Sequence, residues 1–145
     1  MPYLLDTNIL LHLVRGKNLG IHIQKEFSLF EEKVRPLISI VTCGEIWSLA
    51  EQKDWEEEKR NFLKRTLEAL TLVDINHPST IQAYVEIDAF SHKHPKGAIQ
   101  MGKNDLWIAA CTKFTKTTLL TTDKDFLHLT PEQIPVVWID PSAYK

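Results

Sequence analysis

The sequence predicts an α/β domain in which helices cover both faces of a parallel sheet of about five strands. Short apolar runs alternate along the whole chain with longer segments of helical periodicity. These runs are continuously apolar rather than alternating, which is typical of strands buried on both faces of a parallel sheet. The sequence contains no internal repeat, linker or low-complexity tract, so we expect a single domain over residues 1–145.

The strands are predicted at the short apolar runs, many of them β-branched: 2–5, 37–41, 71–75, 117–122 and 135–139. Helices are predicted where apolar residues recur at helical spacing between these runs: 7–15, 18–32, 55–69, 79–91 and 105–114. Pro78 suits the first turn of the fourth of these helices, because a proline there removes no helical hydrogen bond. A short helical turn is expected at 123–127, before the last strand.

One more helix is predicted directly after the second strand. Thr42 is followed three positions later by Glu45, which is the spacing of a capping box. In that motif the threonine caps the helix and the glutamate accepts a hydrogen bond from the threonine N–H. We therefore expect this helix to start at Thr42 and to continue to about Gln52.

Composition excludes several classes of protein. The net charge is -2 and the pI is near 6.3, so a nucleic-acid ligand would have to be met by a local basic patch or by metal ions. Cys43 and Cys111 lack metal-ligand spacing and read as small apolar residues of a reducing compartment. No apolar segment reaches the length of a membrane span and no signal peptide is visible, which predicts a cytoplasmic protein without a membrane partner.

Four acidic residues are expected at one edge of the predicted sheet: Asp6, Glu45, Asp105 and Asp123. Asp6 and Asp123 directly follow two of the strands, Glu45 lies in the helix after another, and Asp105 opens a helix. In the strand order 3-2-1-4-5, the strands before Asp6 and Asp123 would be central neighbours. Ligands of open α/β sheets bind at the carboxyl ends of such strands.

A cluster of carboxylates repels itself unless a cation lies among the oxygens. Oxygen ligands favour Mg²⁺ or Mn²⁺, and two such ions could activate water and stabilise the leaving oxygen of a phosphodiester. Each acid also has a simpler explanation as a helix cap or a first-turn residue, since carboxylates are favoured at helix N-termini. Only the joint pattern favours a metal site.

Four segments resemble PIN-domain ribonucleases, and within them VapC-type toxins of toxin–antitoxin pairs. The segments are LLDTNILL (4–11), TCGEIWSLA (42–50), NDLWIAAC (104–111) and LLTTDKDF (119–126). The resemblance implies a three-layer α/β/α PIN-like fold. It also implies a Mg²⁺- or Mn²⁺-dependent endoribonuclease that cuts RNA, forms a homodimer and is neutralised by a cognate antitoxin protein.

By position, the resemblance makes Asp6, Glu45, Asp105 and Asp123 the catalytic, metal-binding acids. It makes Asn8 and Thr122 polar residues that support the metal or its waters. Asp125 could replace Asp123 as the fourth acid, or it could cap the turn before Phe126. We favour Asp123 as the fourth acid because it directly follows the strand.

Basic residues near these segments are candidates for contact with RNA phosphates: Arg15, Lys17, Lys93, Lys96, Lys103 and Lys124. Three of them lie in the segment 91–104, which has no apolar period and is predicted to be a loop. Taken individually, each is better explained as ordinary surface charge. Trp47 and Trp107 could stack on bases, but core or dimer-interface positions are commoner for such residues.

Other functions fit parts of the pattern. A PIN-fold nuclease can serve in RNA processing without an antitoxin, and a PIN fold that only binds protein would be expected to lack one or more of the acids. A receiver-like signalling domain would need a phosphate-accepting aspartate after strand 3, where Asp74 lies, and a lysine after strand 5. Pro141 and Ser142 follow that strand instead.

Overall fold

The computed structural model describes residues 2–31 and 33–144. The strands are β1 (Tyr3–Leu5), β2 (Leu37–Ser39), β3 (Thr71–Val73), β4 (Thr118–Thr121) and β5 (Val136–Trp138). The α-helices are α1 (Thr7–Arg15), α2 (Asn18–Glu26), α3 (Ile40–Gln52), α4 (Glu57–Glu68), α5 (Pro78–His92) and α6 (Lys103–Thr115). Two 3-10 turns cover Lys124–Leu129 and Pro141–Tyr144.

The five strands form one parallel sheet in the order β3-β2-β1-β4-β5, which confirms the predicted order. Successive strand residues point to opposite faces. Leu5 packs into a core formed with α1–α4, whereas Leu4 packs into a second core formed with α5 and α6. The three-layer α/β/α arrangement is therefore confirmed, and its central strands carry apolar side chains toward both layers.

The end of α2 differs from the prediction. The helix ends at Glu26 rather than at residue 32, which lies outside the described residues. Ser28 adopts a left-handed backbone conformation (φ 47°), and such a residue does not continue a right-handed helix. Leu29 is buried although it lies after the helix. The apolar pattern of the sequence therefore continues past the end of the helix, which explains why the predicted helix was too long.

The predicted capping box at Thr42 is wrong. Ser39 caps α3 instead, because its Oγ accepts a hydrogen bond from the backbone N–H of Val41 at 3.1 Å. The helix therefore begins at Ile40, and β2 ends before the β-branched pair at 40–41. Thr42 is buried inside α3, which leaves its side chain and that of Glu45 available for contacts outside the helix.

The helix that carries Asp105 begins earlier than predicted. Gly102 precedes α6 at its N-terminus, so Asp105 lies in the first turn of the helix rather than opening it. The predicted loop at 91–104 is correspondingly shorter, since α5 continues to His92. No helix in the described ranges has the length and apolar character needed to cross a membrane.

Candidate active site

Asp6 lies at the junction of β1 and α1 and is almost completely buried, with 3% of its surface exposed. Its backbone N–H donates to the carbonyl of Leu120 at 3.0 Å, which extends the pairing of β1 with β4 by one residue. Its Oδ1 accepts a hydrogen bond from the N–H of Thr7 at 2.8 Å. Asp6 therefore caps α1, as one interpretation of the sequence proposed, and also presents a carboxylate at the carboxyl edge of the sheet.

Thr121 connects Asp6 to the segment that carries Asp123. Its hydroxyl donates to Asp6 Oδ2 at 2.7 Å and accepts from the N–H of Asp123 at 2.9 Å. The resemblance pointed to Thr122 as a supporting residue, and Thr121 was not predicted from the sequence. The pairing of Leu5 with Leu120 could have identified it, because the next residues along those two parallel strands are Asp6 and Thr121.

Thr7 connects Glu45 to the same edge of the sheet. Its hydroxyl donates to Glu45 Oε1 at 2.7 Å and lies 3.1 Å from the hydroxyl of Thr42. A hydroxyl carries a single proton, so Thr7 donates either to Glu45 or to Thr42, and the shorter distance favours Glu45. Thr7 therefore orients Glu45 between α1 and α3, and this threonine was not singled out for the role from the sequence.

The charges of the neighbouring acids affect the pKa values of Asp6 and Asp105. Burial raises the pKa of Asp6 to about 6, against the hydrogen bonds from Thr121 and Thr7, and the charges of Asp123 and Glu45 raise it further. Burial also raises the pKa of Asp105 to about 7, together with the charges of Asp6 and Asp123 and, in part, of Glu45 and Asp125. The predicted acids therefore form one electrostatic cluster.

The two acids after β4 have different environments. Asp123 is half-buried, and its Oδ1 accepts a hydrogen bond from the N–H of Asp125 at 2.8 Å, which caps the 3-10 turn Lys124–Leu129. The side chain of Asp125 is exposed.

Asn8 and Thr122, the two predicted supporting residues, lie on different elements. Asn8 is exposed in the first turn of α1. Thr122 is half-buried, and its carbonyl accepts a hydrogen bond from Trp138 Nε1 at 3.0 Å.

The donor set suits a hard divalent cation. Mg²⁺ and Mn²⁺ favour carboxylate oxygens. Burial is the main reason that the pKa values of Asp6 and Asp105 are raised, and a cation would relieve the repulsion between carboxylates that adds to it. Within residues 2–31 and 33–144, however, no three His, Cys, Asp or Glu side chains are gathered as a ready-made metal site. Metal binding by more than two of these acids therefore requires their side chains to draw together.

The predicted basic residues are divided among several surfaces. Arg15 and Lys17 line a cleft at the junction of α1 and α2, and Lys93 and Lys96 line another after α5. Lys103 is exposed in the first turn of α6, in the same turn as Asp105. Lys124 lies with Nζ 4.9 Å from the ring centroid of Trp138.

Asp74, the residue that a receiver-like domain would use, is exposed after β3. Its Oδ1 accepts hydrogen bonds from the N–H groups of Ile75 at 2.6 Å and Asn76 at 3.3 Å. This is a local turn motif that fully accounts for an aspartate at this position.

Comparison with known proteins agrees with the geometry. Three solved structures of similar fold are VapBC2 from Rickettsia felis bound to a promoter DNA fragment, VapBC-1 from nontypeable Haemophilus influenzae, and FitAcB from Neisseria gonorrhoeae. The first is 20% identical over 94% of this chain and 98% of that chain, with a TM-score of 0.76. The second is 24% identical over 95% of this chain and 98% of that chain, with a TM-score of 0.75. The third is 21% identical over 92% of this chain and 95% of that chain, with a TM-score of 0.65.

No curated protein matches the chain. The family described as PIN domain matches residues 3–130, which include all four acids and four of the five strands, β1–β4. The matched region is thus the part of the fold that brings Asp6, Glu45, Asp105 and Asp123 into one cluster. The chain belongs to the PIN-domain family.

Proposed function

We propose that this protein is a Mg²⁺- or Mn²⁺-dependent endoribonuclease that acts as the toxin of a toxin–antitoxin pair. The observation that carries the proposal is that Asp6 and Asp105, at the carboxyl edge of a PIN-domain sheet, have raised pKa values to which the charges of Asp123 and Glu45 contribute beside burial. Such a concentration of negative charge favours a divalent cation.

In this proposal Asp6, Asp105 and Asp123 bind the ions directly, and Glu45 binds directly or through water. When bound, the ions supply a nucleophilic water and stabilise charge on the phosphate during in-line hydrolysis. Thr121 holds Asp6 by its hydrogen bond of 2.7 Å, and Thr7 holds Glu45 by one of 2.7 Å. These two threonines keep the carboxylates oriented before substrate arrives.

The antitoxin partner is supported by the similar structures. Two of them are described as VapBC proteins, and a third, from Klebsiella pneumoniae with a TM-score of 0.67, as a toxin–antitoxin complex. We further propose a homodimer and a cytoplasmic location. Exposed apolar side chains on α3 and α5, among them Trp47 and Val85, offer surface for a second copy of the chain.

The test is cleavage of a labelled mixed RNA pool by purified protein in Mg²⁺, in Mn²⁺ and in EDTA. The wild type is compared with Asp6→Asn and with Asp54→Asn, which makes the same chemical change at an exposed residue after α3. We expect cleavage in either metal, its loss in EDTA and in Asp6→Asn, and its retention in Asp54→Asn.

The outcomes separate the candidate functions. Equal cleavage by Asp6→Asn and the wild type would assign the activity to a contaminant or to another site. Absence of cleavage in both metals, with a stable protein partner recovered by co-purification, would favour a protein-binding PIN domain. Cleavage without binding to the product of any small neighbouring gene would favour RNA processing without an antitoxin.

A further inference from the structure

A second cleft lies beside the acidic cluster, and its lining is basic and aromatic. It has a volume of about 580 Å³ and is lined mainly by Phe90, Lys93, His94, Lys96, His128 and Glu132. Glu132 is the one acid among the described residues that line it. The volume lies in the range of roughly 300–1,000 Å³ that is typical of sites for small ligands.

Three rings form the aromatic part of this cleft. Phe90 and His128 are nearly parallel, with centroids 6.4 Å apart and an interplanar angle of 18°. His94 lies edge-on to both, at 6.2 Å from Phe90 and 5.8 Å from His128. All three residues are half-buried and line the cleft, so part of each is accessible to a ligand.

The cleft is connected to the acidic cluster through two segments of the chain. His128 belongs to the 3-10 turn that Asp123 caps. The hydroxyl of Ser91 lies 2.9 Å from His128 Nε2 and 3.5 Å from Met101 Sδ. Met101 directly precedes the N-terminus of α6, whose first turn carries Asp105. The cleft therefore adjoins the segments that carry two of the four acids.

Two neighbouring histidines could also suggest a metal site, but each ring already has a nitrogen in a hydrogen bond. His94 Nδ1 accepts a hydrogen bond from the N–H of Lys96 at 3.3 Å. His128 Nε2 pairs with Ser91, and the backbone of Asp125 hydrogen-bonds to the same imidazole ring. Two lysines in the lining also disfavour a cation. The charge and the ring faces instead suit an anionic ligand that has a flat aromatic part.

We propose that this cleft binds an unstacked nucleobase of single-stranded RNA beside the cleavage point, a role that rests on the proposed nuclease function. The base stacks on the ring of His94, as bases do on aromatic side chains in single-strand sites, and meets the perpendicular ring of Phe90 at its edge. Lys93 and Lys96 contact the flanking phosphates. The cleft would thus select single strands over duplexes.

The test is binding of a 5′-fluorescein-labelled, mixed-sequence single-stranded RNA of 12 nucleotides, followed by fluorescence anisotropy. EDTA is present, so binding is measured without cleavage. The variants are His94→Ala, His94→Phe and the double variant Lys93→Gln/Lys96→Gln. The double variant Lys53→Gln/Lys64→Gln removes two exposed charges on α4 and at the end of α3 and serves as the matched control.

We expect His94→Ala to weaken binding by at least about fivefold and His94→Phe to retain it, because stacking needs a ring rather than an imidazole. Lys93→Gln/Lys96→Gln should reduce the dependence of log affinity on log salt by about 0.7 for each lost phosphate contact. The control should match the wild type. Duplex RNA of the same sequence should bind more weakly than the single strand, because its bases remain stacked.

Wild-type affinity in both His94→Ala and Lys93→Gln/Lys96→Gln would overturn the proposal, as would failure of the wild type to bind single-stranded RNA in EDTA. These results are independent of the cleavage test. A protein that cleaves RNA but is unaffected by these substitutions keeps the nuclease function and loses this subsite. A protein whose RNA binding falls in these variants but which never cleaves keeps the subsite and loses the nuclease function.

Discussion

Asp6 experiences opposing influences on its charge. Burial and the charges of Asp123 and Glu45 favour the neutral acid, whereas hydrogen bonds from Thr121 and Thr7 favour the carboxylate. Burial dominates, since the pKa is raised from 3.8 to about 6. At neutral pH the carboxyl group is thus mostly charged, but its pKa lies only about one unit below the pH. Removing one hydrogen-bond donor should therefore change the fraction that is protonated near neutral pH.

We predict that Thr121→Val raises the pKa of Asp6 above about 6, because it removes the hydroxyl that stabilises the carboxylate. The acidic limb of the pH–rate profile should move to higher pH, and the free energy of unfolding should fall by about 1–3 kcal/mol. Thr112→Val is the control, because that buried hydroxyl donates only within α6, to the carbonyl of Ile108 at 3.0 Å. An unchanged pH profile in Thr121→Val would contradict the role given to this hydroxyl.

A second prediction concerns the two aspartates after β4. Asp123→Asn should lower cleavage by at least about 100-fold and Asp125→Asn by less than about tenfold, because only the former is proposed to bind metal. Asparagine also caps well, so the turn that Asp123 begins should remain folded. Activity of each variant is measured at saturating Mg²⁺. The reverse ranking would assign the metal-binding role to Asp125.

At the scale of elements, α1 and α2 pack unusually closely. A Cβ placed on Gly20 of α2 would lie 2.2 Å from the carbonyl oxygen of His12 in α1. That atom is backbone and cannot rotate away, so the contact depends on glycine. Because Asp6 caps α1, the position of this helix also affects the acidic cluster.

We predict that Gly20→Ala lowers the free energy of unfolding by about 1–3 kcal/mol, through forced separation of α1 and α2. Gly44→Ala in α3 is the matched control, since a Cβ there meets no atom within 4 Å. The control should gain roughly 0.5–1 kcal/mol from the higher helix propensity of alanine. Chemical denaturation measures both. Equal effects of the two substitutions would show that the interhelical contact is unimportant.

Over the whole molecule, the acidic cluster should make stability without metal depend on pH. The folded pKa values of Asp6 and Asp105 are raised above the unfolded value of 3.8. The folded state therefore binds more protons between about pH 4 and 7, and its stability falls as pH rises through that window. The shift of the buried Asp6 alone corresponds to a loss of up to about 3 kcal/mol at neutral pH.

We predict that Asp6→Asn unfolds at a higher temperature than the wild type in EDTA at pH 7.5, and that the difference shrinks at pH 4.5. Adding Mg²⁺ or Mn²⁺ at pH 7.5 should raise the melting temperature of the wild type more than that of Asp6→Asn. If Asp6 served only as the cap of α1, Asn would match it at every pH, because both residues cap well. Calorimetry across pH distinguishes these cases.

By itself, the sequence was enough to predict the class of fold and the four acids. The class of fold and the positions of the acids depend on local patterns: continuous apolar runs predict buried parallel strands, and acids directly after such runs lie at the carboxyl edge of the sheet. No local pattern specifies the strand order, which entered as a premise of the site prediction. The order β3-β2-β1-β4-β5 and the electrostatic cluster of Asp6, Glu45, Asp105 and Asp123 agree with that reasoning. The metal-binding roles and the single domain over 1–145 stay predictions.

The tertiary structure decided which neighbouring residue performs each supporting role. Ser39 and Thr42 are both good caps, and Ser39 caps α3 because the pairing of β2 with β3 ends there. Thr121 rather than Thr122 contacts Asp6, because the register of β1 with β4 aligns Thr121 with it. Consecutive strand residues face opposite sides, so a shift of one residue changes the partner, and sequence periodicity cannot determine a register that arises only when distant strands pair.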